Sequence, residues 1–111
     1  MKKNVVLFSH QMKVGGAPTV LCEMGKILNK KYNVVVLSPS DGAMRTQFEE
    51  AGISVLISGE ITDALRDMIV QEFDFAVANT TLALPFVVKL AGRMPVYWWI
   101  HENTLVYEGR Q

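Results

Sequence analysis

The chain has 111 residues, which is enough for one domain with one hydrophobic core and too few for a second core. Eleven lysines and arginines balance eleven aspartates and glutamates, so the composition offers no basic surface for nucleic acid or an anionic membrane. The lone cysteine, Cys22, excludes an internal disulfide framework and a cysteine-rich zinc site and is typical of a reducing, cytoplasmic setting.

Short apolar runs alternate with amphipathic segments along the chain. The runs predict strands over residues 4–9, 33–38, 53–57, 74–79 and 95–100. Because these runs are apolar on both faces, we expect parallel strands covered by helices on each side. The alternation predicts an α/β fold, a Rossmann-like doubly wound parallel sheet of about five strands in three layers, with the strand order 3-2-1-4-5. Residues 1–111 form a single domain on this prediction.

The segments between the predicted strands have helical periodicity. The first helix follows a glycine pair and has Pro18 at its tolerated N-terminal position. In the second, Asp41 can cap the helix and Gly52 can provide a left-handed stop. In the fourth, Pro85 is expected near the first turn, because a proline deeper in a helix costs about 3 kcal/mol. The apolar positions of this fourth helix are Leu84, Val87, Val88 and Ala91.

The most informative stretch, residues 9–19 (SHQMKVGGAPT), lies between the first predicted strand and the first helix. Gly15 and Gly16 stand just before the helix, where backbone N–H groups can approach an anion and the helix N-terminus adds partial positive charge. This pattern predicts a loop that faces a phosphate group. The alternative is that the two glycines only let the chain turn.

The carboxyl ends of predicted strands 1, 4 and 5 converge on one crevice in a sheet of this order, and ligands bind there. Polar residues follow each of these strands, at residues 9–16, 79–81 and 101–103. His101 would be carried out of the core, where a neutral imidazole can contact sugar hydroxyls or share charge with a phosphate. Alternatively, His101 is a satisfied histidine beside Glu102, and Asn79 hydrogen-bonds only its own turn.

Several common chemistries lack their motifs in this chain. No G-x-x-x-x-G-K-[ST] is present, which disfavours a Walker-type nucleotide hydrolase, and VGGAPT departs from the G-x-G-x-x-G of dinucleotide-binding enzymes. No H-E-x-x-H or C-x-x-C spacing is present, so we expect no metal.

Four motifs, in this order and at βα spacing, together resemble the N-terminal half-domain of retaining family 4 glycosyltransferases of the GT-B fold. They are residues 14–18 (VGGAP), 40–45 (SDGAMR), 78–80 (ANT) and 95–102 (PVYWWIHE). The resemblance covers nearly the whole chain. It implies transfer of a sugar from a nucleotide-sugar donor to a glycan or lipid-linked acceptor, with retention and without an essential metal, in polysaccharide biosynthesis. Catalysis takes place between two Rossmann-like domains, of which the N-terminal one shapes the acceptor side.

The resemblance also implies roles for individual residues. Gly15 and Gly16 lie in the loop whose amides approach the donor diphosphate and the transferred sugar. His101 matches the histidine that positions the donor sugar and helps to stabilise an oxocarbenium-like transition state. Asn79 and Glu102 are candidates for contacts with the acceptor or the sugar.

Members of this family continue with a second domain, whereas this chain ends at residue 111, ten positions after His101. We therefore expect the C-terminal nucleotide-sugar domain to be absent and the chain alone to be inactive. We expect the full-length enzyme to be cytoplasmic, at the inner face of the membrane, with no transmembrane segment.

The fifth predicted strand would be the edge of the sheet if no further strand follows it. An exposed edge carrying Trp98 and Trp99 predicts a homo-oligomer through that edge. Two other functions stay open. One is a stand-alone module that binds a nucleotide or sugar phosphate, and the other is a regulatory interaction subunit whose glycine pair is only a turn.

Overall fold

The computed structural model of the chain describes residues 2–79, 81–100 and 105–108, with the backbone alone at residues 81, 99, 100 and 105–108. Strands and helices alternate along the described chain until the last strand. In order they are β1 (Asn4–Phe8), α1 (Gly16–Leu28), β2 (Asn33–Ser38), α2 (Met44–Glu50), β3 (Ser54–Ile57), α3 (Asp63–Glu72), β4 (Phe75–Asn79), a 3-10 turn (Thr81–Ala83), α4 (Leu84–Leu90), β5 (Val96–Ile100) and β6 (Leu105–Glu108).

The strands form one sheet in the order β3-β2-β1-β4-β5-β6. The first five are parallel, which confirms the predicted order 3-2-1-4-5. β1 and β4 are neighbours in the sheet although three helices and two strands separate them in the chain. The direction of the crossovers therefore reverses between β1 and β4. The carboxyl ends of these two strands border the crevice where doubly wound sheets bind ligands.

Helices cover both faces of the sheet, which confirms the three predicted layers. Successive residues of a strand point to opposite faces, so neighbouring side chains of β1 enter different cores. Leu7 packs in the core that contains Leu21 of α1 and residues of α2. Phe8 packs in the other core, where its ring stacks on Phe86 of α4 with centroids 4.4 Å apart.

The helix boundaries confirm two local predictions and overturn one. Gly52 follows α2 with φ of 82°, the left-handed stop that was expected. Pro85 lies in the first turn of α4. Asp41, however, does not cap α2, whose N-cap residue is Ala43 without a side-chain cap. The Asp41 carboxylate instead accepts hydrogen bonds from the Gly42 N–H at 2.8 Å and from Arg45 at 3.0 Å.

The buried face of α4 matches the predicted apolar positions only in part. Leu84 and Val88 are 48% and 65% exposed, whereas Phe86 and Leu90 are buried together with Val87. Both faces of this short helix are apolar in sequence, so periodicity alone does not select between them. The face that is buried carries Phe86, a larger side chain than Leu84 or Val88, and its ring stacks on that of Phe8.

β5 is not an edge strand, so the expectation of an exposed edge at Val96–Ile100 is wrong. Antiparallel β6 pairs with it, from Tyr97 opposite Glu108 to Ile100 opposite Leu105. Because β6 covers this edge of β5, the pairing of two copies through β5 is no longer expected. None of the helices in the described part of the chain is long and apolar enough to cross a membrane.

Candidate functional site

The N-terminus of α1 lies at the crevice, directly after the loop of residues 9–15. Gly15 is its N-cap residue and Gly16 its first helical residue. The Thr19 N–H donates to the Gly15 carbonyl at 3.0 Å, so helix geometry leaves the N–H groups of Gly16 and Ala17 without an acceptor in the helix. Pro18 has no N–H, and the first turn holds no acidic residue. This end of α1 can therefore accept an anion from solvent.

The fold itself does not require the two glycines. The backbone at Gly15 is extended, with φ of 174°, a conformation that any residue adopts. Among the described residues, no heavy atom lies within 4 Å of a Cβ built on Gly15 or on Gly16. The positive φ values of the described glycines fall instead at Gly52 and Gly92. The geometry thus gives no support to the alternative that the pair serves only as a turn, and the loop backbone is open to close approach.

Asn79, the last residue of β4, connects this strand to the first turn of α1. Its side chain is only 2% exposed, and its Nδ2 donates a hydrogen bond of 3.0 Å to the carbonyl oxygen of Ala17. The bond joins residues 62 positions apart in sequence and crosses the switch point between β1 and β4. The alternative that Asn79 bonds only its own turn is therefore wrong, and its predicted contact with acceptor or sugar stays a prediction.

Two further residues hold the loop in place, through a contact that no sequence pattern predicted. Met12 is fully buried, and its carbonyl oxygen accepts a 2.8 Å hydrogen bond from the N–H of Met44 at the start of α2. Gly42 lies against the same peptide, because a Cβ built there would be 2.5 Å from the Met12 oxygen. In the sequence, Met12 is a long apolar side chain in a polar loop. A single apolar residue has no periodicity, so its sequence position does not predict what it packs against.

Two concave regions adjoin at the carboxyl ends of the parallel strands. His10 and Leu82 line both of them. A small cavity of about 40 Å³ lies beside the first turn of α1, and a cleft of about 430 Å³ extends from the ends of β1 to β3 toward α4. The cavity is also lined by Ser9, Gln11, Ala17, Pro18 and Asn79. The cleft is also lined by Phe8, Pro39, Ser58, Gly59, Glu60, Ile61, Pro85, Phe86 and Lys89.

Hydrogen bonds lower the pKa of two carboxyl groups, those of Asp63 and Asp41. The Lys89 ammonium lies 3.0 Å from Asp63 Oδ1, and this contact holds the pKa of Asp63 below its ordinary value. The Gly42 N–H, together with Arg45, lowers the pKa of Asp41. Burial raises the pKa of the Cys22 thiol, in agreement with the packing role of this residue. Within residues 2–79 and 81–98, no three His, Cys, Asp or Glu side chains meet as metal ligands would.

Of the predicted site residues, the structure brings Gly15, Gly16 and Asn79 together at the N-terminus of α1. His101 and Glu102 lie outside the described residues. The described part of β5 ends at Ile100, so their predicted roles remain predictions.

Comparison with known proteins gives a family match and two similar structures. The model of the family described as glycosyl-transferase family 4 matches residues 1–111. The chain is similar to HepE (Alr3699) of Anabaena in its complex with UDP-glucose, with a TM-score of 0.70 and 23% identity, covering 89% of this chain and 29% of that chain. For HepE in complex with UDP and glucose the TM-score is 0.69, again at 23% identity, covering 89% of this chain and 30% of the other. No curated protein sequence matches the chain.

The likeness to HepE establishes a shared fold for the aligned part. The chain spans 29% to 30% of the length of the HepE chains that it matches.

Proposed function

The chain belongs to glycosyl-transferase family 4, and from this membership we propose that it is the N-terminal, acceptor-side domain of a GT-B glycosyltransferase. The enzyme transfers a sugar from a nucleotide-sugar donor to a glycan or lipid-linked acceptor in polysaccharide biosynthesis, with retention at the anomeric carbon and without an essential metal. A second domain supplies most of the nucleotide pocket in this proposal, and we expect residues 1–111 by themselves to be inactive. The family match over residues 1–111 is the observation that carries this proposal.

The donor diphosphate binds at the N-terminus of α1 in this proposal. The N–H groups of Gly16 and Ala17 point out of the helix, and an anion at a helix N-terminus gains about 0.3–1 kcal/mol from the helix dipole at an exposed site. Since neither Gly15 nor Gly16 carries a Cβ, a phosphate oxygen can reach hydrogen-bond distance from the backbone. HepE, which shares this fold, was solved with UDP-glucose, and this supports a uridine diphosphate sugar as the donor class.

The same arrangement favours departure of the nucleotide diphosphate. As the bond from the anomeric carbon to the phosphate oxygen breaks, negative charge grows on that oxygen and positive charge on the sugar ring. The positive end of α1 stabilises the growing negative charge without reorganising, because Asn79 fixes the first turn of the helix to β4. In this proposal His101 contacts the donor sugar near its reacting carbon and so positions the sugar.

An NMR titration of the chain with UDP-glucose tests this placement. We expect UDP-glucose and UDP to shift the amide signals of Gly15 and Gly16, with His101 responding to UDP-glucose only, whereas glucose leaves both glycine amides unchanged. Gly52 is a suitable internal control, because it lies just before β3, at the amino ends of the parallel strands, whereas the glycine pair lies at their carboxyl ends. Because a second domain supplies most of the nucleotide pocket, we expect weak binding, and the titration extends to millimolar UDP-glucose. Glycine amides that do not respond at that concentration in a folded chain would contradict the donor placement.

The alternative functions give different results in this experiment. A stand-alone binding module for sugar phosphates would also saturate with glucose 1-phosphate, which lacks the nucleotide. A regulatory subunit whose glycine pair is only a turn would show no response to any of these ligands.

A further inference from the structure

The small cavity beside the first turn of α1 is lined in part by His10, which follows β1. We propose that the His10 imidazolium binds a phosphate oxygen of the donor in this cavity, so that the affinity for the donor falls as the pH rises from about 6 to about 7.5. The inference rests on the proposed function, because it assigns a further donor contact and a pH dependence to the same enzyme.

The size and lining of the cavity suit phosphate oxygens rather than a whole sugar or base. Its volume of about 40 Å³ is more than one water molecule needs and far below the range of about 300–1,000 Å³ that is usual for small-ligand sites. Ala17 lines it from the first turn of α1, where backbone N–H groups are open to an anion. The polar side chains of the lining are those of Ser9, His10, Gln11 and Asn79.

Two of these four side chains already bond to the protein. The Ser9 Oγ donates to the Gln11 carbonyl oxygen at 2.6 Å, and the Asn79 Nδ2 donates to the Ala17 carbonyl oxygen at 3.0 Å. The side chains of His10 and Gln11 make no hydrogen bond to any residue that the structure describes. Of these two, only the imidazole can carry a positive charge, so His10 is the side chain of the cavity best suited to an anion.

Hydrogen bonds of Ser9 hold the backbone on either side of His10. The Ser9 N–H donates to the Leu37 carbonyl oxygen of β2 at 2.9 Å, and the Ser9 Oγ reaches across His10 to the Gln11 carbonyl. Ser9 itself is buried, whereas His10 is exposed. The fold therefore fixes the position from which the imidazole extends and leaves the ring open to a ligand. A charge held in place in this way binds an anion without reorganising the chain.

The charged groups around His10 come from three segments. Glu60, in the turn after β3, and Lys89, on α4, line the adjoining cleft together with His10. The Lys89 ammonium is paired with Asp63 at 3.0 Å. Lys13 is an exposed residue of the same loop. The other segments of the two linings contribute no charged side chain, and the first turn of α1 holds no acidic residue. Glu60 is thus the only carboxylate of either lining that competes with a phosphate for His10.

UDP-glucose separates the charge of the protein from that of the ligand. Its diphosphate is a diester that keeps two negative charges from pH 6 to pH 7.5, whereas a histidine changes its charge between about pH 5 and pH 8. A change in affinity over this interval therefore comes from the protein. A hydrogen bond from a charged donor to a phosphate is stronger than one from a neutral donor, so the imidazolium binds the diphosphate more tightly than the imidazole does.

NMR titrations with UDP-glucose at pH 6 and pH 7.5 test the inference on the native chain and on His10→Gln, which keeps a hydrogen-bond donor but cannot become charged. From the shifts of the Gly15 and Gly16 amides, we expect the native chain to bind roughly three- to fivefold more tightly at pH 6. His10→Gln should bind equally at both pH values. Lys13→Gln is the matched control, because it removes a permanent charge from the same loop and should keep the pH dependence. Since His10 is exposed, His10→Gln should unfold at the native temperature.

Equal affinities of the native chain at the two pH values would overturn the inference, and so would a pH dependence that persists in His10→Gln. In either case the shifts of Gly15 and Gly16 leave the donor placement intact. Glycine amides that respond to millimolar UDP-glucose at neither pH would overturn both the donor placement and the role of His10. The two failures are therefore distinguishable in one set of titrations.

Discussion

The side-chain amide of Asn79 donates a hydrogen bond of 3.0 Å to the carbonyl oxygen of Ala17, so the end of β4 holds the first turn of α1. The two residues stand on either side of the point where the sheet reverses its crossover direction. A buried amide here fixes the position of the helix N-terminus against the sheet. A preorganised helix end is what electrostatic stabilisation of a leaving diphosphate requires.

Asn79→Ala should therefore destabilise the fold. Losing a buried hydrogen-bonding side chain costs about 1–3 kcal/mol, and we expect the free energy of unfolding in a urea titration to fall by that amount. Thr46→Ala, an exposed polar-to-alanine change on α2, is the matched control and should stay within about 0.5 kcal/mol of the native value. Equal unfolding midpoints for Asn79→Ala and the native chain would contradict the structural role of this bond.

The glycines of the loop region should respond to alanine in opposite ways. Gly15→Ala and Gly16→Ala meet no neighbour and need no positive φ, so each should leave the free energy of unfolding unchanged or raise it by up to about 1 kcal/mol. Gly42→Ala places a Cβ 2.5 Å from the Met12 oxygen and should lower it by about 1–3 kcal/mol. Thermal unfolding followed by circular dichroism distinguishes the three variants. Unfolded Gly15→Ala or Gly16→Ala proteins would instead indicate that the pair is needed for the turn.

The contact between Lys89 and Asp63 predicts a change at acid pH. Because Lys89 lowers the pKa of Asp63 in the folded state, the carboxylate stabilises the fold above its unfolded pKa, and this stabilisation is lost as the pH falls through the lowered pKa. In Lys89→Met the pKa of Asp63 should rise toward its ordinary value, as measured by NMR titration of the carboxyl carbon. The pKa of Asp41, which depends on Gly42 and Arg45, is the internal control and should not move. An unchanged pKa of Asp63 would show that the ion pair does not persist in solution.

Removing β6 should expose the edge of β5. A chain that ends at residue 104 lacks the antiparallel partner of Tyr97 to Ile100, so the backbone groups of β5 on that side lose their hydrogen bonds. We expect the shortened chain to associate as its concentration rises, which solution X-ray scattering would detect as an increasing apparent mass. The full chain, measured at the same concentrations, is the control. A shortened chain of constant monomeric mass would show that this edge does not drive association.

Most of the fold could be predicted from the sequence, because the central strands are continuous apolar runs. Leu7 and Phe8 read as one uninterrupted run in sequence, and the structure places them on opposite faces of a doubly covered strand. β6 was missed because alternation of strands and helices does not predict an antiparallel return of four residues. Asp41 was misassigned because a carboxylate before a helix can bind either the helix N-terminus or an adjacent N–H, and here it binds Gly42.

The candidate site was predictable only where a local pattern carried it. Gly15 and Gly16 precede a helix with a proline in its first turn, and this sequence pattern located the helix N-terminus correctly. The hydrogen bond of Asn79 to Ala17 spans 62 positions, and no local pattern records a contact of that range. The cleft likewise needs the turn after β3 and the side chains of α4, which only the folded sheet brings together.

The most direct test of the account compares UDP-glucose binding by the native chain and by the Gly16→Ala variant. A Cβ at Gly16 does not disturb the fold but occupies the space through which a phosphate would approach the backbone. We expect localised shifts of the Gly15 and Gly16 amides in the native chain, and at least about tenfold weaker binding by the folded variant, equivalent to about 1.4 kcal/mol. Equal binding by both proteins, or no response of these amides in the native chain, would contradict the placement of the donor diphosphate at α1.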